Sequence, residues 1–171
     1  RRAFIRISQA PTWPSQNQNL TCIFHESSFH EICIGMIILD VNLLIYSFRA
    51  EFPEHQRARE WLLGAMSGTE PVGLHPMVLC AFLRLNTKAL GALPPAPMER
   101  ALDFLDAMRR FPQAVPVHES AGHSKMFRQL SQQHGTAGDQ VNDAWLAALA
   151  LEKQAGLASA DHDARRRPRP R

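Results

Sequence analysis

Cysteine is scarce in this 171-residue chain: Cys22, Cys33 and Cys80 are too few and too scattered for a disulfide framework. Long apolar runs are missing too, so no stretch is expected to span a bilayer. The first residues lack the succession of basic, apolar and small-residue regions that marks a signal peptide. These absences together give a cytoplasmic expectation. Histidine occurs, but His75, His118, His123, His134 and His162 show no metal-ligand spacing, and His55 reads as a helix-start residue. One stretch departs from this, "CIFHESSFHEIC", where Cys22, His25, His30 and Cys33 stand in a symmetrical, zinc-like pattern. No glycine or second knuckle supports a zinc site there, so the segment reads as a poorly ordered lead-in.

Basic charge is short where it would matter most for binding nucleic acid. The whole chain carries +3, yet Arg1, Arg2 and Arg6 sit near one end and five arginines fill "RRRPRPR", 165–171. The body, 36–164, holds 11 basic and 14 acidic residues, a net of −3. An RNA contact through the arginine tail would be salt-sensitive and blind to sequence; a basic tail is more often a solvated end.

The chain is long enough for one domain with a genuine core, and its 45% hydrophobic and 20% charged residues are ordinary for a globular protein. Residues 1–35, with "APTWPSQNQNLT", are polar and proline-punctuated and read as a poorly structured extension. Composition changes at Met36, the expected functional start. From there strand-like and helix-like segments alternate. "IILDV", "EPVGL", "AVPVH" and "LASAD" read as short strands. "PEHQRAREWLLGAM", "PMVLCAFLRLNTKAL", "PPAPMERALDFLDAMRRF", "AGHSKMFRQLSQQHG" and "DQVNDAWLAALALEKQAG" carry helical spacing, with Gly135 and Gly156 as stops. This alternation predicts an α/β fold with a mostly parallel sheet. Trp61, Phe82, Phe104, Phe127 and Trp145 are expected in the core or on a dimer face.

In "MIILDVNLLIY" the apolar run before Asp40 reads as a buried strand, and a carboxylate at its far end sits oddly, because desolvating it is costly unless it is paired or binds a metal. Asp40 ends the first strand, Asp143 lies in the first turn of the last helix, and Asp161 ends the last strand, with Asp163 two residues on. In parallel sheets ligands bind beyond the carboxyl ends of the strands. Acids converging there repel unless a dication neutralises them. Oxygen donors without thiolates suit Mg2+ or Mn2+. Taken singly, Asp143 has a structural reading as a helix-start charge, Asp161 as a turn residue and Asp40 as a solvated strand end.

"MIILDVNLLIYSFRAEFPEH", "LCAFLRLNT" and "NDAWLAALALEKQAGLASADHD" resemble, in order and spacing, the PIN-domain ribonucleases, especially the VapC toxins of bacterial toxin–antitoxin pairs. The likeness covers about 36–163 and implies a three-layer α/β/α domain with a short, mostly parallel central sheet. It implies an endoribonuclease dependent on Mg2+ or Mn2+, with metal-activated water as nucleophile, a VapB-like antitoxin as inhibitor, and a homodimer. Asp40, Asp143 and Asp161 match the metal-binding aspartates, Asn42 and Ser159 polar positions that would orient them, and Asp163 a secondary acid. Two departures stand out: Ala81 occupies a position where many PIN domains have glutamate, and "RRRPRPR" replaces the usual apolar continuation. They support a rival reading, a degenerate PIN fold that binds RNA or an antitoxin without cutting. "GDQVNDAWLAAL" also resembles a haloacid-dehalogenase phosphatase motif with Asp139 and Asp143 as its acids, but Asp40-Val41-Asn42 lacks that family's D-x-D. In the PIN reading Asp139 is a helix-start residue or an outer metal ligand. Arg84 is a candidate phosphate contact.

Overall fold

The computed structural model describes residues 21–23, 35–138 and 140–160. Thr21–Ile23 forms a short strand, β1, inside the segment expected to lack regular structure. Of the zinc-like group, His25, His30 and Cys33 and the side chain of Cys22 lie outside the described residues. The next strand, β2, is Ile37–Leu39. It ends just before Asp40, which turns the chain and caps a helix, α1, Val41–Phe48, absent from the expected run of elements. Leu43, Leu44, Ile45 and Ser47 are all buried, so α1 shows no clean polar face and its sequence imitates a strand.

The remaining elements follow the expected alternation. Helix α2 is His55–Met66, strand β3 Val72–Leu74, helix α3 Pro76–Asn86 and helix α4 Met98–Arg109. Strand β4 is Ala114–Pro116, helix α5 His123–His134, helix α6 Gln140–Lys153 and strand β5 Gly156–Ser159. Pro76 occupies the first turn of α3, where its missing N–H costs nothing. Gly135 ends α5 in the left-handed region at φ 60°, as its position predicts. The end of α6 differs from expectation. Gly156 belongs to β5, and Gln154 instead takes the left-handed turn at φ 51°. The Ala155 amide reaches Ala150 O at 2.8 Å and the Gln154 amide reaches Leu151 O at 3.3 Å, a Schellman pairing made without glycine.

The sheet order is β1-β5-β2-β3-β4. The four strands β5, β2, β3 and β4 run parallel, and β1 pairs antiparallel with β5. Successive strand residues face opposite sides of a sheet. Ile38 and Leu39 are 0% and 1% exposed, so both faces of β2 are covered and the fold has three layers. Helix α1 packs on β5, α2 and α3, while α6 packs on β5 and α5. Phe48, Phe82 and Phe104 form a ring cluster between α1, α3 and α4, with centroids 5.3–5.4 Å apart. Burying side chains such as Phe82 and Leu149 contributes about 1.5–3 kcal/mol each. Gly73 is confined: a Cβ there would stand 3.1 Å from Met36 Sδ, 3.2 Å from Val117 Cγ1 and 3.3 Å from Ile38 Cγ1. Among the described residues no helix is long and apolar enough to cross a membrane.

Candidate active site

The parallel strands end together on one edge of the sheet, with Asp40 after β2, His75 after β3, Glu119 after β4 and Ser159 as the last residue of β5. Beyond β2 stands Asp40, 7% exposed and therefore not the solvated strand end that one reading allowed. Its Oδ1 accepts the Val41 amide at 2.6 Å, at the positive end of α1, where a helix favours an anion. Its Oδ2 accepts the Ser159 hydroxyl at 2.6 Å, from the last residue of β5. The Asp40 amide in turn donates to Ala158 O at 2.9 Å, so backbone and side chain both lock the two strand ends together. Charge-assisted bonds of this kind are short and strong, and here they orient a carboxylate that burial would otherwise disfavour.

Asn42 follows in the first turn of α1 and is half-buried. Asp143 is exposed in the first turn of α6. Asp139, Asp161 and Asp163 lie outside the described residues. Among the described residues no group of three or more His, Cys, Asp and Glu side chains is gathered so as to hold a metal ion. The structure thus joins Asp40 to Ser159. Asp40 suits a hard cation: it is a buried, ionisable oxygen donor, fixed by hydroxyl and amide donors. Ala81 is half-buried in the second turn of α3, and a methyl group offers a cation no ligand.

A second polar cluster on the same edge was not anticipated. Glu119 follows β4, His75 follows β3, and Trp145 lies on α6. Trp145 Nε1 donates to Glu119 Oε1 at 2.9 Å, and His75 Nε2 stands 3.1 Å from the same oxygen. Glu119 bonds to its own backbone amide and to Trp145, and both hold its carboxyl below the usual 4.5. His75 is 3% exposed, and this burial, outweighing the pull of Glu119, lowers its pKa from 6.5. Nearby, Glu152 accepts the Ser120 amide at 2.9 Å and faces Lys153 at 2.8 Å. Burial opposes its ionisation, but the bonds from Lys153 and Ser120 prevail and bring its pKa to about 2. A signal for Glu119 existed in the sequence: it follows "AVPVH" much as Asp161 follows "LASA".

Comparison with known proteins gives the chain a family. The PIN domain family matches residues 37–170. At 38% identity over 129 residues, the chain is similar to "Ribonuclease VapC37" of Mycobacterium tuberculosis, with 75% of this chain and 89% of that protein covered. "VapC ribonuclease Mb2897" of Mycobacterium bovis is 36% identical over 126 residues, covering 74% and 86%. The chain belongs to the PIN-domain family, among its VapC ribonucleases. A crystal structure of Mycobacterium tuberculosis VapC20, described as a sarcin-ricin loop cleaving toxin, shares the fold with a TM-score of 0.53. That match has 17% identity and covers 70% of this chain and 84% of that one. The phosphatase reading gains nothing here, since Asn42 lies in α1 and supplies no second acid at the end of β2.

Proposed function

We propose that the chain is an endoribonuclease acting as the toxin of a toxin–antitoxin pair, with its catalytic domain at 36–164. Its substrate is RNA, and its inhibitory partner is a VapB-like antitoxin, in the cytoplasm. The observation that carries this reading is the buried Asp40 at the end of β2, held by the α1 N-terminus and by Ser159.

Asp40, Asp143 and Asp161 would hold Mg2+ or Mn2+, with Asp139 and Asp163 as outer acids. When bound, such a cation supplies Lewis-acid activation of water and neutralises charge at the phosphodiester. The chain's own part is orientation. Ser159 donates to one Asp40 oxygen and the Val41 amide to the other, which fixes the carboxylate plane. Asn42, one turn-position beyond, would assist that orientation. Arg84, exposed in the last turn of α3, is a candidate phosphate contact. A homodimer is the proposed assembly, to be read from the mass in solution.

The test is cleavage of single-stranded and structured RNA with Mg2+ or Mn2+, with EDTA and Asp40→Asn as controls. Cleavage abolished by both is the expected result. Ala81 favours a second reading, a PIN fold that binds without cutting. Metal-independent RNA binding with no cleavage by the wild-type chain would establish that reading instead.

A further inference from the structure

Glu119 spans two elements that bear on the proposed metal site, and its contacts are directional. Its Oε1 receives the Trp145 indole N–H at 2.9 Å and stands 3.1 Å from His75 Nε2. His75 Nδ1 accepts the Met77 amide at 3.2 Å, so the neutral ring carries its proton on Nε2, the nitrogen that faces Glu119. That second contact is close but bent, a polar contact rather than a well-aligned hydrogen bond.

The strand register places His75 beside Asp40. Ile37 pairs with Val72 and Ile38 with Gly73, so Asp40 and His75 stand level just beyond two neighbouring parallel strands. At the other end of the bridge, Trp145 is wedged against His123, with centroids 4.4 Å apart, and Phe127, at 5.0 Å. Asp143 precedes Trp145 by two residues, roughly 200° around a helix of about 3.6 residues per turn. Fixing the Trp145 side of α6 therefore fixes the direction in which Asp143 is presented.

We infer that Glu119 is a positioning residue. It ties the end of β3, beside Asp40, to α6, and so sets where Asp143 stands relative to Asp40. This inference rests on the metal-site reading above and deepens it.

The experiment uses the full chain stripped of metal with EDTA. Mn2+ binding is followed by the electron paramagnetic resonance of the free ion, alongside kcat and KM for RNA cleavage. Trp145→Phe keeps an aromatic ring and removes only the donor, while Glu119→Gln keeps an acceptor and Glu119→Ala removes it. Trp145→Phe and Glu119→Ala are expected to weaken Mn2+ binding by about 10-fold and lower kcat similarly, the low end of the range seen when the surroundings that orient metal ligands are disturbed. KM stays within about twofold, and Glu119→Gln restores most of the affinity, as a retained acceptor should. Should Glu119→Ala fail to fold, Trp145→Phe and Glu119→Gln still decide. Wild-type affinity in Trp145→Phe, with binding lost in Asp40→Asn, would overturn the positioning role alone. A wild-type chain that binds no Mn2+, or an Asp40→Asn variant that binds as well, would remove the metal reading and the positioning role with it.

Discussion

Asp40 and Glu119 are both acids that follow parallel strands on one edge of one sheet, yet they are held in opposite ways. Asp40 is 7% exposed and is gripped by donors from the chain ends around it, the Val41 amide and the Ser159 hydroxyl. Glu119 keeps a side-chain exposure of 34% and reaches outward to bridge β3 and α6. A carboxylate held out of solvent and oriented on both oxygens by short bonds is prepared to bind something. One that spans two elements is suited to setting the distance between them. The lesson is that strand-end position alone does not assign a role; the origin of the donors does.

The comparison breaks first at Ser159. Ser159→Ala removes the hydroxyl on Asp40 Oδ2, and RNA cleavage is expected to fall by about 10–100-fold, the range for partners that orient a metal ligand. Unchanged cleavage would show that the Ser159 hydroxyl is not needed to orient Asp40. The next largest effect is on stability at Gly73, which lies between the two acids' strands. Gly73→Ala forces a Cβ against Met36, Ile38 and Val117 and is expected to cost about 1–3 kcal/mol in urea unfolding. Ordinary stability in that variant would mean that the strands shift apart freely.

Acid sharpens the contrast from the Glu119 side. Glu119 and Glu152 have folded pKa values below 4.5, so the unfolded chain binds their protons more tightly. Their stabilisation is present above about pH 4.5 and is lost as pH falls below it, towards about 2 for Glu152. The His75 pKa is also lowered from 6.5, chiefly by burial, so the unfolded chain takes up its proton first and stability already declines below about pH 6.5. Thermal melting from pH 7 down to about pH 2.5 should show a steady fall, with Glu119→Gln flattening the part below about pH 4.5. A melting temperature indifferent to pH would contradict this. The smallest effect lies away from both acids, at Gln154. Its φ of 51° strains a side-chain-bearing residue, and Gln154→Gly is expected to gain about 0.5–1 kcal/mol with cleavage unchanged.

How much of this was legible in the sequence depended on whether the signal was local. Helices α2, α4 and α5 have one polar face each, and their spacing announced them. Helix α1 did not, because Leu43, Leu44 and Ile45 are buried on adjacent sides and leave a continuous apolar run. Gly156 looked like a helix stop, but the left-handed turn fell on Gln154, which sequence preference disfavours. Asp40 was conspicuous as a carboxylate after four apolar residues. Its partner Ser159, 119 residues away, came into view only through family likeness. The Glu119 bridge to Trp145 spans 26 residues and has no periodicity, so no local pattern could reveal it. Trp145, expected in the core or on a dimer face, is half-buried with its indole N–H committed to a carboxylate.

Nuclease chemistry at this edge requires that the acids Asp40, Asp143 and Asp161 share one hard cation. Calorimetric titration of Mn2+ into metal-stripped wild-type and Asp40→Asn chains addresses that most directly. The prediction is a saturable site in the wild type that vanishes in Asp40→Asn; equal binding by the two chains would contradict it.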